Sequence, residues 1–232
     1  MSDEKLDLVP FNANQLPAMN LVGDNELAVI TKGADYLQRL QLVTKGKYVD
    51  TGKIAPGRYG VPQPGGEEIT DLGPEIDLLP LAVRAKALDM NDKEAIIACY
   101  DATKPEFARI KDAASKPNSG CMYGPSFLIF ERSTGEFYEY FMGNKSARNE
   151  SGKVVAFLAT AERGPLPMTL RNRYATAGDY GWHVPVAVKC SEPFTNLPPM
   201  DKVVAVMEKF AASKEENEGM EKVEEPATGR AR

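Results

Sequence analysis

The sequence predicts a mainly β fold, and three observations carry that expectation. Residues 124–143, GPSFLIFERSTGEFYEYFMG, hold two runs of strand-favouring residues around Arg132-Ser133-Thr134-Gly135, the pattern of a hairpin with a glycine-bearing turn. Residues 167–190, PMTLRNRYATAGDYGWHVPVAVKC, repeat it, with a turn at Ala177-Gly178-Asp179. Clear helical spacing is confined to short stretches. Runs of hairpins with few helices point to an antiparallel OB-like barrel with added hairpins, a short helix and a C-terminal amphipathic helix.

Taken in order, residues 1–30 mix polar and apolar residues without a period and read as an N-terminal arm. The barrel domain is expected over residues 31–212. In YLQRLQLVTKGKYVDTGKI, Leu40, Leu42, Tyr48 and Val49 suit strand faces around a turn at Lys45-Gly46-Lys47. Residues 55–68 are rich in Pro and Gly and read as a loop, with short extended pieces after it. A strand is expected over Asp77–Ala87, because Pro80 argues against a central helix there. EAIIACYD reads as another strand, with Ile96, Ile97 and Tyr100 in the core. PEFARIKDAAS spaces Phe107 and Ile110 helically behind Pro105, so it is the short helix. SGKVVAFLATA fits a short helix or a strand, the helix being preferred. DKVVAVMEKFAAS has apolar residues at 203, 204, 206, 207 and 210 behind an Asp201 N-cap, an amphipathic helix. Residues 213–232 are Glu-rich and lack aromatics, the composition of a disordered tail.

Composition removes several function classes. The chain has 232 residues, a net charge of −5 and a pI near 5.2, which argues against coating duplex DNA by bulk positive charge. Three scattered cysteines without a CxxC suggest reduced thiols and the cytoplasm. No secretory signal and no membrane span are expected. With one histidine, His183, a zinc site or a serine or cysteine hydrolase is not expected, and neither a metal nor a cofactor is. No phosphate loop or nucleophile-elbow motif occurs.

The residues that could carry chemistry are aromatic and cationic. FYEYFMGNKSARN packs four aromatic residues into five positions and follows them with Lys145 and Arg148. Strand alternation puts Phe137, Glu139 and Phe141 on one face and Tyr138, Tyr140 and Met142 on the other. Either the hairpin is buried on both sides, or Tyr138, Tyr140 and Phe141 form a platform on which bases stack, worth about 1–3 kcal/mol per base. In the second hairpin Arg171 and Arg173 share a face, with Tyr174 opposite; the two arginines either meet phosphates or are balanced by nearby Glu. Tyr180 and Trp182 also share a face; Trp182 reads first as core and second as a ligand contact, and His183 lies opposite it. Residues 120–190 hold eight Lys or Arg against six Asp or Glu, and 11 of the 19 aromatic residues. A single-strand binder needs this combination of a cationic path and rings.

The stretch SGCMYGPSFLIFERSTGEFYEYFMGNKSAR, a hairpin ending GWHVPVAVKC, an amphipathic helix and a Glu-rich tail together resemble bacteriophage single-stranded DNA-binding proteins with an OB-fold core. The likeness spans roughly residues 75–232. It implies a non-enzymatic protein of the host cytoplasm that binds single-stranded DNA without sequence preference in phage replication or recombination. It also implies a tail that contacts replication or recombination proteins, and it leaves a homodimer open. The tail departs from the family pattern: six Glu face four Lys or Arg, and the chain ends Gly-Arg-Ala-Arg without an aromatic. Two other readings stand beside this one. Asp71, Glu75 and Asp77, with Asp89, Asp92, Glu94 and Asp101, could hold Mg²⁺ in a nuclease or other DNA-processing enzyme. A β-rich, acidic protein without a ligand would suit a virion or assembly role.

Overall fold

The computed structural model describes residues 37–91 and 96–212. The expected N-terminal arm (1–30), the tail (213–232), Asp92 and Glu94 lie outside them. Strand exceeds helix, 41% against 22%, so the protein is mainly β. The strands are β1 (Arg39–Val43), β2 (Arg58–Pro62), β3 (Ile69–Gly73), β4 (Glu75–Asp89), β5 (Ile97–Cys99), β6 (Cys121–Glu131), β7 (Glu136–Phe141), β8 (Met168–Ala177) and β9 (Tyr180–Lys189). The helices are α1 (Lys47–Asp50), α2 (Pro105–Ala113), α3 (Lys145–Val155) and α4 (Met200–Ala212).

The 15-residue β4 is the spine of the sheet. It pairs along its length with β6, at its start with β8 and at its end with β5. Pro80 lies just beyond the last residue paired with β8, and the β4–β6 register slips between Pro80 and Ala82. A bulge of this kind is where a central strand tolerates a missing N–H. The β6–β7 turn is pinned by the buried Glu131 carboxylate, which accepts from the backbone and hydroxyl groups of both Ser133 and Thr134, each at 2.8 Å.

The sheet runs β3-β2-β1-β7-β6-β4-β8-β9 and does not close. This corrects the expected antiparallel barrel in two respects. The β1–β7 ladder is parallel, pairing Arg39 with Glu139 and Leu40 with Tyr140. The ends of the order, β3 and β9, share no ladder among the described residues. The sheet curls around one large core instead, which takes in Leu40, Tyr59, Leu78, Phe127, Tyr140 and Leu170, with Ala147 and Val154 of α3. A second core lies under α4, and a third under α2 at the far end of β4 and β6.

Three local expectations are also corrected. Tyr48 and Val49 belong to α1, not to a strand, because the amides of Val49 and Asp50 both bond the Gly46 carbonyl and wind the chain into a turn. The expected loop 55–68 contains β2, where Tyr59 and Val61 are buried despite the surrounding Pro and Gly. Ile96 and Ile97 are 55% and 45% exposed, because β5 pairs only with the tip of β4; Cys99 and Tyr100 supply the burial there. The stretch 151–161 holds the end of α3, whose start at Lys145 lies earlier than SGKVV suggests.

Candidate nucleic-acid interface

The FYEYF stretch forms β7, between β6 and β1, with a core on each side. Tyr138 and Tyr140 are buried in the large core. Tyr140 meets Tyr59 edge to face, ring centroids 6.3 Å apart, and the Tyr138 hydroxyl donates to Thr134 Oγ1 at 3.1 Å. Burial raises both phenols. These two rings are core and offer no surface for stacking, which corrects the expectation that they contact bases. Phe137 packs on Phe130 in the core under α4.

Glu139 and the half-buried Phe141 line a charged network on the α4 side. One Glu139 oxygen accepts from Lys86 Nζ (2.9 Å), Arg84 (3.0 Å) and Ser126 Oγ (2.6 Å). The Arg84 guanidinium lies 4.1 Å from the ring centroids of both Tyr100 and Phe210, and it donates to the Phe210 carbonyl. Lys86 stands 5.4 Å from the rings of Tyr100 and Phe141. Burial alone would push the Glu139 carboxyl up; Lys86, Ser126 and Arg84 overcome this and hold it down at about 2. Burial depresses the Lys86 ammonium to about 8, opposed by Glu139 and assisted by the cations Arg39 and Arg84. Sequence reasoning missed this network, although a signal was present. Arg84 and Lys86 alternate within the apolar run LLPLAVRAKALD, so one strand face had to find a buried carboxylate.

Lys145 and Arg148 lie on α3. Asn144 caps that helix, accepting from the Ala147 amide at 2.8 Å. Lys145 is exposed in the first turn. Arg148 is half-buried: it donates to the carbonyls of Tyr123 (3.0 Å) and Gly143, and its guanidinium lies 4.0 Å from the Tyr123 ring centroid. Arg148 thus holds the β7–α3 junction to β6.

The remaining predicted residues sit on the β8–β9 hairpin. β8 leaves β4 after Arg171, so from Asn172 to His183 the hairpin is a two-stranded ribbon. A ribbon alone is marginal in water and needs anchoring. Its base is tied by the Asn172 amide, which donates to the Pro74 carbonyl at 3.1 Å. His183 Nδ1 lies within hydrogen-bond distance of Asn172 Oδ1, at 3.1 Å.

Cross-strand pairing sets the two faces of this arm. The pairs Arg173–Val184, Ala175–Trp182 and Ala177–Tyr180 put Arg171, Arg173, Tyr180 and Trp182 on one face. The pair Tyr174–His183 lies on the other. Tyr180 is 80% exposed, Tyr174 60% and Trp182 38%, so the lone tryptophan is not a core ring. A Cβ on Gly181 would fall 1.8 Å from the Tyr174 hydroxyl oxygen, so the glycine lets that ring lie flat across the ribbon with its outer face open. Arg171 pairs with Glu75 at 3.0 Å and Arg173 with Glu150 at 3.8 Å, all but Glu150 well exposed. Exposed pairs of this kind contribute little and give way to a phosphate.

The structure therefore splits the predicted residues. It gathers Arg171, Arg173, Tyr174, Tyr180 and Trp182 on one exposed arm, leaves Lys145 exposed on α3, and takes Tyr138, Tyr140 and most of Phe141 and Arg148 into packing. The described residues contain no group of three His, Cys, Asp or Glu placed to hold a metal ion and no helix long and apolar enough to cross a membrane. No family model, no curated protein and no solved structure matches the chain.

Proposed function

We propose that the protein is a non-enzymatic, sequence-independent single-stranded DNA-binding protein of phage replication or recombination, acting in the host cytoplasm, and that the β8–β9 arm is its contact surface. One observation carries this reading: Tyr180 and Trp182 stand exposed on one face of a single hairpin beside Arg171 and Arg173, which are held by the carboxylates of Glu75 and Glu150, and Tyr174 stands exposed on the opposite face. Folding gains nothing from leaving Tyr180 80% exposed. A strand with stacking bases and a phosphate backbone covers Tyr180 and Trp182 and takes over both cations on the same face.

No observation favours the Mg²⁺ reading. Asp71 is held by Arg58 at 2.7 Å, Glu75 by Arg171, Asp77 by Arg132 and Thr169, and Asp89 by Arg109 at 2.9 Å. The test is fluorescence anisotropy of a labelled oligo-dT at low and moderate salt, with a duplex of equal length beside it. The expected result is salt-sensitive binding of the single strand alone, with quenching of Trp182 fluorescence. No binding at low salt, or equal binding of the duplex, would overturn the reading.

A further inference from the structure

A second aromatic and cationic constellation lies between α2 and β6. An open cleft of about 330 Å³ is walled by Val83, Ala85, Phe107, Tyr123 and Pro125. That volume is at the small end for ligand sites, enough for one planar ring and its attachment. The wall is apolar and the rim is basic. Arg148 stacks on Tyr123, and Lys111 Nζ lies 5.8 Å from the same ring centroid. Lys111 and Lys145 are exposed, and no carboxylate pairs with Lys111, Lys145 or Arg148 among the described residues. Two cations without a carboxylate partner, Lys111 and Arg148, beside an apolar cleft in a chain of net charge −5 match a ligand that joins a flat ring to an anion.

The cleft is continuous with the arm through α3. Arg148 reaches Tyr123 on one side of the helix. Glu150, two residues on and about 200° round the axis, reaches Arg173 of the arm on the other. Between them runs an exposed stripe of Lys145, Asn149, Gly152 and Ala156 that carries no acid. A strand leaving the arm passes Glu150, which Lys153 and Arg173 neutralise, and then meets only a cation and neutral groups on the stripe.

We propose that one base of the bound single strand enters the cleft between α2 and β6 and packs against Tyr123 and Phe107, while Lys111 and Arg148 take its phosphates. This rests on the reading of the chain as a single-strand binder. It assigns Tyr123 and Lys111 to the site and makes the protein's footprint longer than the arm.

The test uses the full chain and oligo-dT of increasing length, each carrying one 5-iodo-deoxyuridine for photocrosslinking. Crosslinks are expected at the arm with short oligonucleotides and at both the arm and Tyr123 with long ones. Lys111→Glu, on an exposed helix face, keeps the fold. It should lower the salt slope for long oligonucleotides by about 1 or more, leave short ones unchanged and abolish the Tyr123 crosslink. Tyr123→Leu should weaken only the long ones, by about fivefold or more. Arm crosslinks without a Tyr123 crosslink, or a Lys111→Glu slope equal to that of the wild type, would overturn the cleft proposal and leave the arm standing. Absence of binding by the wild-type chain is distinct from either, and removes the functional reading and the cleft together.

Discussion

Hairpin β6–β7 and hairpin β8–β9 are both rich in aromatic side chains, and the structure treats them oppositely. In the first, Tyr138 and Tyr140 point into the curl of the sheet, Phe137 packs under α4, and even Glu139 is 3% exposed. In the second, Tyr174 and Tyr180 stand in solvent. The sequences do not differ in kind; their neighbours do. β7 has β6 on one edge and β1 on the other, whereas the outer half of β8 has only β9. Aromatic density marks a strand, and the number of layers around that strand decides whether its rings are core or surface.

Paired substitutions test this contrast most strongly. Tyr140→Ala should cost about 3–5 kcal/mol, the range for emptying a large aromatic from a packed core. Tyr180→Ala, on the exposed arm, should stay within about 0.5 kcal/mol of the wild type. Urea denaturation of the two variants checks both numbers. Similar losses would mean that the arm is packed and the contrast false.

Glu139 sharpens the same contrast with a charge. Glu139→Gln leaves Arg84 and Lys86 buried without their shared carboxylate and should cost about 3–5 kcal/mol. Loss of either arm pair, Arg171–Glu75 or the long Arg173–Glu150 contact at 3.8 Å, each with an exposed arginine, should cost less than about 1 kcal/mol. The pH dependence follows from the two shifts. Glu139 is depressed to about 2, so its contribution is complete above the ordinary carboxylate range and is lost as pH falls toward 2. Lys86 is depressed to about 8, so the folded state releases a proton that the unfolded chain keeps, and stability rises from about pH 8 toward 10.5. Lys86→Met should remove the alkaline rise. A rise that persists in this variant would place its source elsewhere.

Much of this was legible from local chemistry. Arg132-Ser133-Thr134-Gly135 and Gly178-Asp179 announced both hairpins, because turns are built from adjacent residues. Alternation placed Arg171, Arg173 and Tyr174 on their faces for the same reason. The parallel pairing of β1 with β7 was not legible: Arg39 and Glu139 are far apart in sequence, and nothing near either residue specifies the other. That one ladder covers the outer edge of β7 and helps turn FYEYF from a candidate platform into core. The site was misplaced where the fold was misjudged, since an exposed ring and a buried ring read alike until the covering strands are known.

On the binding side, Arg171→Glu with Arg173→Glu should weaken oligo-dT binding by more than about tenfold at moderate salt, through loss of two phosphate contacts and added repulsion. Tyr138→Phe, which alters only a buried hydroxyl, should leave affinity unchanged. Anisotropy titrations measure both. If the arginine variant bound as the wild type does, the arm would lose its role.

The smallest expected effect concerns α3, which stands between the arm and the cleft beside Tyr123. Gly152 lies inside this helix on its exposed stripe, and a Cβ there would meet nothing within 4 Å. Glycine in a helix interior costs about 0.5–1 kcal/mol relative to alanine, and no packing requirement at this position offsets that cost. Gly152→Ala should therefore raise the urea midpoint by a corresponding amount. If a single strand crosses this stripe, the added methyl also stands in its path, and affinity for long oligonucleotides should fall while that for short ones does not. A higher midpoint with unchanged affinity at every length would take the strand off α3 and confine the interface to the arm. A higher midpoint with a length-dependent loss would show that the helix between the two aromatic sites is part of the path, its glycine kept for clearance at the expense of stability.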